Sequence, residues 1–231
     1  MKNEELETVL EQALYALVSA RCIRAYKHQV RNGLQGVYGG IDALIRHARA
    51  KGPTHLSLDR TIEFVRDAVR KHETSLDNMV GHLAGGEDTV APVALAPLLS
   101  ELTVFLSNDA ARHGVRFKET LAADVTVRAG PGKLRMILLG LISDAIDAQT
   151  GGEVHVSTLM HAGQGQVEIA DTRALPDTQV DPWAVDLACE PLCKGILMHV
   201  TRTIVTAQGG QVDCEQGDTG GRVVRLRLPL A

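Results

Sequence analysis

Residues 28–44 read HQVRNGLQGVYGGIDAL. Within this stretch Val30, Leu34, Val37, Ile41 and Leu44 recur at alternating steps of four and three, the spacing that aligns apolar side chains along one side of an α-helix. At about 100° per residue, His28 then falls on the opposite side, with Asn32 one turn further along the same exposed face and Gln29 and Arg31 flanking them. The same periodicity runs upstream through Leu6, Val9, Leu10, Ala13, Leu14, Leu17 and Val18. A single helix over roughly residues 4–49 is predicted. The segment KGPTHLS (51–57) breaks it with a Gly-Pro pair and offers Ser57 as the N-cap of the next helix. There Leu58, Ile62, Val65, Val69, His72, Leu76, Met79 and Leu83 follow the heptad period of a coiled-coil seam. Two long helices joined by a short loop form an antiparallel hairpin. A lone hairpin cannot bury both stripes, so two hairpins completing a four-helix bundle, and hence a homodimer, are expected.

Beyond the hairpin, LAGGEDTVAP (83–92) has the glycines, acids and proline of a linker. The expected domains are 1–86 and 92–231. In the second, helices are predicted near 95–113, 132–148 and 192–207, and extended segments near 115–128, 153–171 and 210–228. That order places the chain in the α+β class, with helices on one face of a mixed sheet. The composition suits this reading: 231 residues, 45% apolar, 23% charged and only 3% aromatic, so the cores are aliphatic. A net charge of −4 without a basic run gives no field for nucleic acid. The N-terminus is acidic and amphipathic, unlike a signal peptide, and no apolar run reaches the roughly 18–20 residues that span a bilayer. A cytoplasmic protein with no membrane partner is expected. Cys22, Cys189, Cys193 and Cys214 are scattered, as in a reducing compartment. Cys189 and Cys193 in CEPLC lack a second ligand pair, so no metal site is expected.

The box beginning at His28 resembles the phosphoacceptor box of two-component histidine kinases, whose usual form is HEIKNPLGGIRGAAQLL. His28, Arg31, Asn32, Leu34, Gly36, Val37, Gly39 and Leu44 fall in register with it. The resemblance implies that His28 carries a phosphoryl group on a ring nitrogen, and that Asn32 helps to orient a water attacking the phosphorylated partner. Two departures matter. Gln29 replaces the acid that serves as base during attack on ATP, and it cannot take a proton. Gly33 replaces proline, and with Gly36, Gly39 and Gly40 it gives a helix of four glycines, each costing about 0.5–1 kcal/mol relative to alanine, so the stretch is expected to bend or fray.

The second domain resembles the Bergerat-type ATPase domain of the same kinases over roughly residues 95–230, and its close, GGQVDCEQGDTGGRVVRLRLPL, matches the family's final hairpin. Its nucleotide boxes are degraded. LRMILLGLISDAIDA (134–148) aligns with a helix whose two asparagines hold magnesium and phosphate; here they are Gly140 and Asp144, and Asp144 alone could still bind a hard cation. DTRALP (171–176) keeps the adenine-reading aspartate as Asp171 but replaces both glycines by Arg173 and Leu175. CKGILM (193–198) stands where GTGLGL opens a helix around phosphate, keeping only Gly195, with Cys193 and Leu197 in glycine places. The segment between Asp171 and Cys193 is short for an ATP lid. Asp144, Asp171 and Gly195 are therefore read as vestiges, with Asp171 a strand-end carboxylate facing solvent.

The resemblance thus implies a histidine phosphotransferase that relays phosphoryl groups between receiver-domain aspartates through His28 without ATP. Receivers would contact Gln29, Arg31, Asn32 and Gln35 and would bring their own magnesium, so no cofactor is expected. Two alternatives stay open: an ATP-dependent kinase with a divergent pocket, and a pseudokinase scaffold that only binds a response regulator.

Overall fold

The computed structural model describes residues 3–49, 58–83, 89–173, 192–217 and 220–231. The elements run in the expected order. Helix α1 (Asn3–Arg49) is one continuous helix of 47 residues and α2 (Leu58–Leu83) follows it. Then come β1 (Ala91–Ala94), α3 (Leu95–Arg112), β2 (Val115–Leu121), β3 (Thr126–Ala129), α4 (Pro131–Asp147), β4 (Gly152–His161), β5 (Gln164–Asp171), α5 (Leu192–Ala207), β6 (Gln211–Gln216) and β7 (Arg222–Pro229). The proposed cap Ser57, the residues 174–191 that include Leu175 and Cys189, and most of the linker lie outside the described residues.

The chain divides into two compact units, Arg21–Ala84 and Met1–Ala20 with Gly85–Ala231. The sequence reading gave the whole first helix to the hairpin. Its first twenty residues group instead with the sheet domain.

In the helical unit, the glycine-rich stretch does not interrupt α1. The physical reason is close packing. A Cβ on Gly40 would lie 2.3 Å from Val65 Cγ2 on α2, so a missing side chain on α1 seats a branched one on its neighbour. Both helices keep large apolar residues at the surface of the single chain: Leu34, Ile41 and Ile45 on α1, and Leu58, Ile62 and Val69 on α2, are all close to 40% exposed.

In the other unit, a five-stranded sheet of order β2-β4-β5-β7-β6 has β2 and β4 parallel and the remaining pairs antiparallel. A short β1–β3 ribbon stands beside it. The linker reading missed β1: Pro92 at its centre marks a ribbon edge, where the lost N–H leaves no central ladder bond open. Helices α3, α4 and α5 pack over the sheet around an aliphatic core that includes Leu99, Leu102, Ile137, Leu138, Ile142 and Ile169. This is the α+β sandwich expected from the sequence.

Candidate functional site

The candidate residues of the sequence reading fall into two groups. The first belongs to α1. His28 and Gln29 lie within this helix, and their side chains fall outside the described residues. Arg31, Asn32 and Gln35 are exposed, as the helical spacing required of a face turned away from the Val30–Leu44 stripe.

The second group lies where the sequence placed the remains of a nucleotide pocket. Gly140 and Asp144 are one turn apart on α4 and so share a face. Asp171 ends β5, and antiparallel register sets it opposite Arg222, the first residue of β7. The two backbones are pressed together: a Cβ on Gly221 would lie 2.1 Å from the Asp171 carbonyl oxygen, so only glycine fits there. Arg173 leaves β5 two residues later, and its backbone N–H donates to Asp171 Oδ1 at 2.9 Å.

These four charged residues form one closed network. Arg222 donates through Nη2 to Asp171 Oδ2 at 2.6 Å and through Nη1 to Asp144 Oδ2 at 2.8 Å. Arg173 Nη2 donates to Asp144 Oδ2 at 2.8 Å and to Asp171 Oδ2 at 3.1 Å. The Asp171 side chain is fully buried, and those of Arg222 and Asp144 are 6% and 10% exposed. Asp171 therefore does not face solvent as the sequence reading had it. The cause is Arg222, a partner 51 residues away that makes burial of the carboxylate tolerable. Burial alone would lower the Arg173 guanidinium, but its hydrogen bonds and charge pairing with Asp144 and Asp171 outweigh that and raise it above its ordinary value.

The chemistry of this arrangement is that of a lock. Two carboxylates and two guanidiniums cancel, which leaves no net field for an anionic nucleotide. Asp144, read as a possible cation ligand, has its oxygens committed to two cations, and a metal would have to displace them. Among the described residues, no cluster of His, Cys, Asp and Glu could hold a metal ion.

At the end that the resemblance had given to phosphate, Leu197 fills the space beside Gly140. Its Cδ1 lies 2.6 Å from where a Cβ on Gly140 would stand, so the leucine in a glycine place sits over the glycine in an asparagine place. Gly195 lies inside α5, in its first turn, and not on a loop ahead of it. The Cys193 side chain lies outside the described residues. Sequence reasoning missed Arg222 altogether. A signal was nevertheless present: an Asn-to-Asp change at Asp144 and a Gly-to-Arg change at Arg173 are departures of opposite sign facing one pocket.

No protein-family model matches the sequence. The Sensor protein CutS of Streptomyces coelicolor and that of Streptomyces lividans are each 26% identical to the chain over 153 residues, covering 60% of it. The chain spans 36% of the length of these relatives. Among solved structures, the catalytic domain of the histidine kinase ThkA superposes with a TM-score of 0.56 at 16% identity, covering 61% of this chain and 95% of that one. Full-length ShkA, solved in complex with AMPPNP, gives a TM-score of 0.55 at 20% identity over 95% of this chain and 46% of its own. The histidine kinase AdeS of Acinetobacter baumannii gives 0.53 at 12% identity over 88% and 98%. The fold is that of the histidine kinases. Three of the four lock residues, Asp144, Asp171 and Arg173, belong to the segments that the sequence reading had likened to the nucleotide boxes. No helix among the described residues is long and apolar enough to cross a membrane.

Proposed function

We propose that the chain is a histidine phosphotransferase of a two-component phosphorelay. His28 takes the phosphoryl group of a receiver-domain aspartyl phosphate, the acyl P–O bond breaking as an N–P bond forms and the aspartate leaving as carboxylate. A second receiver reverses the step. The receivers supply the magnesium and the acidic pocket, and they dock on the face carrying Gln29, Arg31, Asn32 and Gln35. The half-exposed apolar stripes on α1 and α2 support a homodimer, because a second hairpin would cover them.

The observation that carries this reading is the lock of Asp144, Asp171, Arg173 and Arg222. An acceptor box of the right pattern is joined to a kinase-like domain in which residues likened to the nucleotide boxes are paired with arginines of the same chain. The test is incubation with phosphorylated receivers, followed by a search for acid-labile, base-stable label on the protein. Label on the wild type that disappears in His28→Ala is expected. Equal label on both would move the acceptor to another residue, and no label on either would leave a scaffold.

The competing reading, an ATP-dependent kinase, draws on the relatives, which include a sensor protein and a histidine kinase solved with a nucleotide analogue. Calorimetry with ATP and magnesium separates the two. Micromolar binding together with labelling of His28 from ATP would overturn the phosphotransferase.

A further inference from the structure

The same surface of α4 is covered from a second direction. A helix lying on one sheet keeps a side for solvent, yet α4 is buried almost all round: Leu134, Met136 to Ser143, Ala145 and Ile146 are all buried. The sheet, α3 and α5 account for three sides. On the fourth, Val18 Cγ2 of α1 lies 3.5 Å from the Cβ position of Gly140, beside the Leu197 methyl. Leu10 and Leu14 of the same α1 segment are 8% and 2% exposed. Glu11 Oε1 pairs with Lys133 Nζ of α4 at 2.8 Å, and Glu7, Thr8 and Glu11 wall a cleft against His199 and Thr203 of α5.

We propose that residues 5–20 of α1 are a strap that closes the former phosphate face of the sheet domain, taking the position on α4 and α5 that a bound nucleotide would need. Leu10 and Leu14 anchor it, Glu11 sets its register along α4, and Val18 seals the space over Gly140. The anchoring is apolar in substance, because the Glu11–Lys133 pair is more than a third exposed at both ends and is screened by water. Helices α4 and α5 are held together by a piece of the chain itself. The pocket is thereby shut at its phosphate end by Val18 and Leu197, and at the opposite end by the arginine lock.

The inference rests on the phosphotransfer reading only for the meaning of that surface. Its test reads docking and not phosphoryl flow, so the failure of one is distinguishable from the failure of the other. In the full chain, Glu11→Cys with Lys133→Cys is oxidised mildly and mapped by proteolysis. A disulfide within one chain is expected. No disulfide, or one joining two chains, overturns the strap. Separately, Leu14→Asp is compared with wild type by hydrogen exchange. At least tenfold faster exchange over residues 196–204, with the β4–β5 peptides unchanged, is the expected result, and unchanged exchange over 196–204 overturns the proposal. If β4 and β5 also exchange faster, Leu14→Asp has unfolded the domain, and the cysteine pair decides alone.

Discussion

Removing one arm of the lock puts a number on it. In Arg222→Met the fully buried Asp171 carboxylate loses two donors, Arg222 Nε at 3.0 Å and Nη2 at 2.6 Å, and Asp144 loses one. Breaking a buried ion pair by deleting one partner costs about 3–5 kcal/mol, because a charge is left buried without compensation. Arg173 still reaches both carboxylates, so the lower end of that range applies. At 1.4 kcal/mol per power of ten, a loss of about 3 kcal/mol is roughly a 100-fold change in the local opening equilibrium. The assay is hydrogen exchange of the β5 and β7 amides, whose register brings Asp171 and Arg222 together. The same experiment on Arg222→Met combined with Asp171→Leu leaves Asp144 paired with Arg173, with charges balanced again, and should recover more than half of the loss. Exchange in the single variant within tenfold of wild type, or a double variant no better than the single, would refute the view that the four charges act as one structural unit.

Three further outcomes are expected. Gly40→Ala should lower the melting temperature of the hairpin, because the stiff Val65 side chain must move from 2.3 Å, whereas Gly39→Ala, with nothing within 4 Å, should raise stability by about 0.5–1 kcal/mol through helix propensity; equal effects at the two positions would dismiss the packing argument. Burial pushes the Cys22 thiol from 9.0 up to about 11, so the fold favours its neutral form: the stabilisation is complete below pH 9 and lost as pH rises toward 11. The urea midpoint of wild type should therefore fall more steeply across pH 9–11 than that of Cys22→Ala, and parallel curves would contradict the burial. Finally, Gln29→Glu puts a proton acceptor beside His28 and, if the proposed reading holds, should still give no label from ATP, because that reading removes nucleotide binding as well as proton removal; any acid-labile label would count against it.

The helices were legible because their stripes are long and strictly periodic. The predicted start near residue 4 and end near 49 sit beside the observed Asn3 and Arg49, and the second-domain helices and strands follow the expected order. What failed was non-local. Strand β1 is four residues long and exists only by pairing with β3, so no periodicity announces it. The arginine lock joins residues 51 and 78 positions apart, beyond any window that spacing can read. The continuous stripe of α1 concealed a change of partner: the same repeat that serves the hairpin from Val30 onward serves the sheet domain through Leu10 and Leu14.

The residues at the proposed closed pocket also balance one another in volume and charge. A binding site that merely loses its ligands leaves a cavity, at about 24 cal/mol per Å³, and leaves unpaired charge in a low-dielectric wall. At Gly140 the space is taken by Leu197, and the Asp144 and Asp171 carboxylates are paired with Arg173 and Arg222. A glycine at 140, where the family has asparagine, faces a leucine at 197, where the family has glycine, so volume lost on α4 is regained from α5. An aspartate at 144 faces an arginine at 173, so charge gained on α4 is answered from the end of β5. Each exchange taken alone costs stability through void, clash or uncompensated charge, while taken in pairs they restore packing and neutrality. The departures from the kinase pattern are thus coupled through space. Under the proposed reading, returning Gly140 to asparagine alone presses the new side chain on Leu197, whose Cδ1 lies 2.6 Å from the Cβ position, before it restores a ligand.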